Sequence, residues 1–345
     1  MGATTESVRA ELTDLAGRSA YGADFGEIVS GAVGSLLPFD GWCLFGMDGR
    51  SGLRTFQFSR HGTEKTVEMA DNEALQSDAN KYVDLARSES PAGWLAKQHP
   101  LAEKSVRFNE ILRPQGFGSE MRLALCQQGR LWGALSLFRE HDRRSFSADD
   151  TQRLVPLAVP LAAAFRRYPM RPFSSAPEAF AAGMVLLSPD NTLLSVSSAA
   201  QAWLDDLVPG GSDETWPSDV TRVLFDAANA VRASPDDEPD SATARIRTCS
   251  GRWLLVQGIR LCNGEADVCV LLHAASVHQL LTTVIDAHCL TKGEAKILGL
   301  VAAGLPAKHI ARELQLSPHT INDNLKSIYR KAHVSGREEL IGRLT

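Results

Sequence analysis

No stretch of this 345-residue chain approaches the roughly 18 uninterrupted apolar residues that a membrane-crossing helix needs. The longest candidate, at 154–165, is broken by Pro156 and Pro160, so no membrane span is expected. The opening MGATTESVRAELTDLAG lacks a basic flank followed by an apolar run, which argues against an export or anchoring signal and for a cytoplasmic location. Cys43, Cys126, Cys249, Cys262, Cys269 and Cys289 show no CxxC pair and no Cys/His cluster at zinc spacing, so buried thiols in a reducing cytosol are expected. His61, His99 and His141 add no ligand set, so no metal, haem or iron–sulfur cofactor is expected. Also missing are a GxxxxGKS/T phosphate loop, an HExxH helix and a GxSxG elbow, and Gly116-Phe117-Gly118 lacks the third glycine of a dinucleotide fingerprint. The chain is not expected to be an enzyme. No acidic pair after a first strand marks a receiver domain. An excess of positive charge is lacking too: the net charge is −5, which alone argues against a nucleic-acid partner.

The distribution of charge reverses that last exclusion. From Cys289 onward nine Lys/Arg stand against five acids, leaving +4 on the tail and −9 on the remainder. Length alone suggests roughly two to four domains. WCLFGM (42–47) and LRTFQFS (53–59) are strand-like runs around Asp48-Gly49 and predict a hairpin. MRLALC (121–126) and LWGALSLF (131–138) flank Gln128-Gly129, and Ser147 with Asp150 three residues on opens a helical stretch to Arg166. YPMRPFSSAP (168–177) concentrates Pro and Ser and is the expected linker. Beyond it come GMVLL, TLLSV, helices near 199–207 and 220–233, an acidic loop SPDDEPDS, and the strand runs ARIRT, RWLLVQGIRL and DVCVLLHA, with turns at Ser250-Gly251 and Asn263-Gly264. Two strands, helices, three strands is the order of a PAS-type sensory fold. VHQLLTTVIDAH (277–288) has helical spacing and would lead into the tail.

The tail reads as four short helices. Thr291 with Glu294 is a capping box, Ile297, Leu298 and Val301 share one face, and Gly304 is a stop. Pro306 suits the first turn of a second helix, with Ile310, Ala311 and Leu314 as its buried face. Ser317-Pro318 caps a third, whose core side is Ile321, Leu325 and Ile328 and whose other side carries Asn322, Asp323, Lys326 and Arg330. Ser335 with Glu338 predicts another capping box, and Leu340, Ile341 and Leu344 line one face of the last helix. Two helices joined by a tight turn, the second with a polar and basic stripe, can place a recognition helix in a major groove. Spacing alone leaves a protein-interaction module or a solvated bundle equally open.

LTKGEAKILGLVAAGLPAKHIARELQLSPHTINDNLKSIYRKAHVSGREEL resembles the LuxR-type helix-turn-helix domain along its whole length, including Thr291, Glu294, Gly304, Lys308, Ser317, Thr320, Lys331 and Arg337. That resemblance implies a transcription regulator that binds double-stranded DNA. It implies that residues at Asn322, Asp323 and Lys326 face base edges and that Lys308, Ser317 and Thr320 touch phosphates, with Arg330 on the same side. It further implies a homodimer through the last helix, with Leu340, Ile341 and Leu344 as the strip, and RNA polymerase as an eventual partner. The family commonly has Lys or Arg at Asn322, His at Asn324, Glu at His309 and a small hydroxyl at Pro306; the departures imply fewer basic contacts, each lost phosphate neutralisation lowering the salt slope by about 0.9. The Asp323-Asn324-Leu325-Lys326 run is similar to a DxLK pattern of an actinobacterial subgroup.

LLPFDGWCLFGMDGRSGL, RFNEILRPQGFGSEMRLALCQQGRLWGALSLFRE and FSADDTQRLVPLAVPLAAAFR resemble the GAF-like domain that precedes LuxR-type domains in such regulators, and the similarity continues through RIRTCSGRWLLVQGIRL into the tail, so it spans nearly the whole chain. GAF and PAS folds cup a pocket over a sheet for small-molecule sensing or dimerisation. Trp42, Phe45, Phe56, Phe58, Trp94 and Trp132 could line such a pocket, although aromatics at strand spacing are more often core. The expected architecture is α+β and multidomain: an α/β GAF-like unit over 6–167, a linker at 168–177, a PAS-like unit over 178–275, a connecting helix at 276–288, and an all-α helix-turn-helix domain over 289–345. The rival reading is a ligand-binding or scaffolding protein whose degenerate tail, with Asn322, Asp323 and Asn324 in succession, no longer binds DNA.

Overall fold

The hairpins flanking Asp48-Gly49 and Gln128-Gly129 are the seeds of the first sheet. The computed structural model describes residues 3–17, 24–171, 180–208, 216, 218–233, 242–262 and 266–344. Helices α1 (Thr5–Gly17) and α2 (Phe25–Leu36) precede strands β1 (Gly41–Met47) and β2 (Arg54–Arg60). Helices α3 (Thr66–Ala74) and α4 (Tyr82–Leu85) lead to β3 (Ala92–Ala96), β4 (Phe117–Gln127) and β5 (Arg130–Glu140), and α5 (Ala148–Leu154) and α6 (Ala158–Arg167) close the unit. The sheet is antiparallel with order β2-β1-β5-β4-β3, Leu44 of β1 facing Phe58 on one side and Leu135 on the other. Gln128 and Gly129 adopt φ of 55° and 73°, the double left-handed backbone of a two-residue hairpin.

Both faces of this sheet are covered. Leu44, Leu123, Leu135 and Leu137 point into a core shared with α1, α2 and α6, while Phe45, Ala124 and Ala134 pack on the opposite side against Tyr82 and Leu85. Ser147 and Asp150 form the expected capping box, yet their helix does not run unbroken to Arg166. Pro156 cannot donate a backbone hydrogen bond, and the chain passes through a 3-10 turn at Val155–Leu157.

The second unit repeats the order of elements. Strands β6 (Gly183–Leu187) and β7 (Leu193–Val196) are followed by α7 (Ser198–Asp205) and α8 (Ser218–Ala233), then β8 (Thr243–Arg247), β9 (Trp253–Arg260) and β10 (Val268–Ala274). Its sheet runs β7-β6-β10-β9-β8, again antiparallel, with Val270 between Val185 and Gly258. Val185, Val256, Val270 and Leu272 meet α7 and α8 on one face. Met184, Leu194 and Ile259 stay exposed. Leu53 and Ala70 of the first unit enter this core, and Asp71 accepts hydrogen bonds from Asn191 (3.0 Å) and Asn229 (2.8 Å).

The expected linker is partly structured. Tyr168–Met170 form a 3-10 turn in which Tyr168 and Met170 are buried, because the aromatic ring stacks on Phe25 at 4.6 Å. The rest of that segment, 172–177, lies outside the described residues, as do the acidic loop 234–241, the Asn263-Gly264 turn and residue 345. Helix α9 (Val277–Ala287), opened by a Ser276–Gln279 capping box, leads to α10 (Lys292–Ala302), α11 (Ala307–Glu313), α12 (Pro318–Ala332) and α13 (Arg337–Gly342). No helix among the described residues is long and apolar enough to cross a membrane.

Candidate nucleic-acid interface

Local chemistry explains why the tail breaks where it does. Thr291 and Glu294 form a reciprocal capping box at the start of α10, and Gly304, at φ 88°, supplies the left-handed residue that ends it. Pro306 sits at the N-cap of α11, one position before the helical turn expected for it. Between α11 and α12 the backbone reverses at Gln315 (φ 54°), and the Leu316 amide donates to Ala311 O at 2.9 Å. Ser317 then caps α12 by accepting from the Thr320 amide at 3.1 Å, and the two hydroxyls lie 2.9 Å apart.

Helix α12 is sharply two-faced. Ile321 and Ile328 are fully buried and Leu325 is 9% exposed. Asn322, Asp323, Lys326 and Arg330 are exposed on the other side, and Lys308, Ser317 and Thr320 are exposed on α11 and at the start of α12. All seven expected contact residues are thus solvent-accessible, and six of them flank or belong to α12.

What holds α12 in place escaped the sequence reading. Buried Glu294 accepts from Ser327 (2.8 Å), from Lys331 (2.6 Å) and from the Thr291 amide (2.7 Å), tying α10 to the inner edge of α12. Burial alone would raise its pKa, but these donors outweigh burial and bring it to about 2. Arg337 donates to Val301 O (3.0 Å) and Leu305 O (2.8 Å), using its charge on the carbonyl end of α10. Both Lys331 and Arg337 therefore act inside the domain. Ser327, a conceivable partner of Asp323 by spacing, is engaged with Glu294 instead. Asp323 pairs with His319 at 2.9 Å and more loosely with Lys326 at 3.8 Å. The His319 contact is an i to i+4 spacing that could have been read from the sequence.

One expectation for the last helix needs correction. Its capping carboxylate is Glu339, which accepts from the Ser335 amide (2.7 Å) and hydroxyl (2.9 Å), because α13 starts only at Arg337. The apolar strip is not presented to solvent: Leu340 and Leu344 are buried in a cluster with Met170 and Trp253, and only Ile341 is half-buried. Side chains of both units reach this tail. The Trp253 indole donates to Arg343 O at 3.2 Å and Arg167 meets the His333 ring at 2.9 Å, while Arg130 is joined to Asp286 of α9, the helix that leads into it. Buried His288 lies at the same seam, where burial, then Arg167 and Arg343, lower its pKa to about 3. Among the described residues no group of three His, Cys, Asp or Glu side chains is placed to hold a metal ion.

Comparison with known proteins bears on this tail most directly. Residues 288–344 match the model of the bacterial regulatory proteins of the luxR family. No curated protein matches the chain. Similar solved structures include Escherichia coli SdiA, at 12% identity over 98% of this chain and 95% of that one, with a TM-score of 0.34. A phycoerythrobilin-bound GAF domain from a cyanobacterial phytochrome shares 15% identity over 48% of this chain and 97% of that one, with a TM-score of 0.30. The Escherichia coli DhaR(N)-DhaL complex shares 13% identity over 80% and 91%, with a TM-score of 0.24. At TM-scores this low the three structures bear on nothing further. The four helices that end the chain, within residues 288–344, are a LuxR-type helix-turn-helix domain of the bacterial regulatory proteins.

Proposed function

We propose that the chain is a transcription regulator that reads DNA with the outer face of α12, and that its two sheet units sense a small molecule or pair two copies. The observation that carries the first part is the division of α12 into a buried apolar side and an exposed side bearing Asn322, Asp323, Lys326 and Arg330, next to a turn with exposed Ser317 and Thr320. In this reading Asn322, Asp323 and Lys326 meet base edges in the major groove. Lys308, Ser317 and Thr320 meet phosphates, and the hydroxyl of Ser317 serves as cap and contact together. Two copies would bind a roughly palindromic site. Pairing through α13 then requires Leu340 and Leu344 to leave the cluster they share with Met170 and Trp253.

Selection of bound sequences from a random DNA pool tests the reading and identifies the operator at once. On the selected site, Lys326→Ala should lose about 1 to 3 kcal/mol of specific binding, whereas Lys308→Ala should weaken all sequences alike. Isotherms unchanged by both substitutions at moderate salt would show that the recognition helix lies elsewhere.

A further inference from the structure

The first sheet unit encloses a cavity remote in sequence from the helix-turn-helix domain. It has room for about three waters and lies between the sheet and α3 and α4, with Arg222 of the second unit at its wall. Phe45 and Phe138 supply apolar surface, and Gln57 and Tyr82 supply hydrogen-bonding groups.

Charge in this wall is out of balance. Arg54 and Arg222 share one carboxylate, Asp226, at 2.8 Å and 3.4 Å from their Nε atoms. Arg54 is otherwise satisfied: its Nη1 donates to Gln57 at 2.7 Å and its guanidinium lies 3.8 Å from the centre of the Phe45 ring. Arg222 is not. It is 4% exposed and its Nη2 has no hydrogen-bond partner. Burial, followed by repulsion from Arg54, lowers the Arg222 pKa to about 10, as expected of a buried cation short of counter-charge. The other cation in the wall does not share this deficit, because Arg122 is paired with Glu73 and Glu120, each at 2.8 Å.

The geometry points to this cavity as a binding site for a short-chain monocarboxylate, its two oxygens on the Arg222 guanidinium and its carbon chain against Phe45 and Phe138. Arg222 shares its carboxylate with Arg54 and keeps Nη2 without a partner, which suits one further negative charge, and the planar guanidinium fork matches the two oxygens of a carboxylate. The aromatic walls favour an organic tail over a bare inorganic oxyanion, and the volume excludes long acyl chains. Because Arg222 stands on α8 while the rest of the cavity belongs to the first unit, the ligand is gripped by both sheet units and ties their relative placement to its presence. The proposal rests on the reading of these units as sensors.

The test is titration of the full chain with propionate, followed by calorimetry and thermal melting, with propionamide and nitrate as controls. Saturable propionate binding with a melting temperature that climbs with ligand concentration is expected, with no response to propionamide and a weaker one to nitrate. Arg222→Gln should cut propionate affinity about tenfold or more. Should that variant not fold, Cys43→Met, which fills the cavity and leaves the arginine untouched, must abolish binding. Absence of saturable propionate binding, equal binding of propionamide or nitrate, or unaltered affinity in both variants overturns the site. Affinity for the selected operator separates this from the sensing reading. Propionate that binds through Arg222 without moving DNA affinity upholds the site and removes the sensing role. DNA affinity that responds to cell extract while propionate does not bind removes the site and leaves sensing standing.

Discussion

The two sheet units follow one strand order and fill it differently. In the first, three charged side chains sit almost entirely out of water on the sheet: Arg107 meets Glu120 at 3.0 Å, and Arg122 meets Glu120 and Glu73, each at 2.8 Å. Burial alone would raise the Glu120 pKa, but the two adjoining guanidiniums outweigh it and hold the carboxyl below its ordinary value. In the second, the contact between helices and sheet is apolar, with Trp203, Leu204, Leu224 and Ala228 fully buried against Val185, Val270 and Leu272, while the buried polar side chains of α8, Arg222 and Asn229, turn to the first unit. The contrast separates architecture from purpose. Hydrophobic filling suffices for this topology, as the second unit shows, so the desolvation cost borne by the first is not demanded by the fold. Its charges order the polar groups around a cavity.

The largest effect should come from breaking the buried network on one side only. Arg107→Met takes the guanidinium away from Asp78 and leaves Glu120 with Arg122 alone, and should cost about 3 to 5 kcal/mol in chemical denaturation at neutral pH. Glu73, Asp78 and Glu120 all have lowered pKa values, so their contribution is present above the ordinary carboxylate range and is lost as pH falls below it. The penalty of Arg107→Met should therefore shrink in acid. In the second unit, Leu272→Ala should cost about 2 to 4 kcal/mol by leaving a cavity, with no such dependence on pH. A pH-independent Arg107→Met penalty would erase the distinction between the two interiors.

Another buried ionisable group tests the same contrast at the seam with the tail. His288 is neutral when folded, with a pKa of about 3 against 6.5 for the ordinary side chain. Its stabilising contribution is whole above the ordinary value and declines as pH falls toward 3; between pH 6.5 and pH 5 about 2 kcal/mol should be lost. Denaturation at both pH values measures it, and His288→Gln should remove about one proton from the slope. The smallest effect belongs to the surface. The Asp323 pairs with His319 and Lys326 are solvent-exposed, so Asp323→Ala should change stability by no more than about 0.2 to 0.5 kcal/mol. On DNA the same substitution should relax preference at one base pair of each half-site while nonspecific binding strengthens, since a carboxylate can accept from the cytosine amino group. An unaltered base-preference profile would reduce Asp323 to a helix partner.

Elements with their own period were legible in the sequence, and those held by tertiary contacts were not. The tail is the clearest case: Thr291 and Ser317 mark helix starts by side-chain caps that act within four residues, Gly304 marks a helix end by its left-handed backbone, and Ile321, Leu325 and Ile328 mark the buried face. The hairpin at Gln128-Gly129 is equally local. By contrast β3, α4 and the π-helical turn Arg107–Leu112 are short and half-polar, and what fixes them is the buried network itself, joining residues far apart in the chain. The candidate DNA face was readable because exposure follows from the helical period. The cavity was not, because Arg222 and Phe45 are separated by more than half the chain, and of the six aromatics considered as pocket residues only Phe45 lines it.

The hydrogen bond from Trp253 to the Arg343 carbonyl gives this protein an optical gauge of its own. The indole begins β9, is 3% exposed and has the Arg247 guanidinium 4.8 Å from its ring centre, so its emission reports a dry, cation-adjacent setting. Any event that lifts the last helix from the second unit admits water to that ring and moves its emission to longer wavelength. A Trp253→Phe difference spectrum separates this signal from that of the other five tryptophans. Separation of the DNA-reading end from the units that precede it can then be followed in solution without a label, on the time scale at which it occurs.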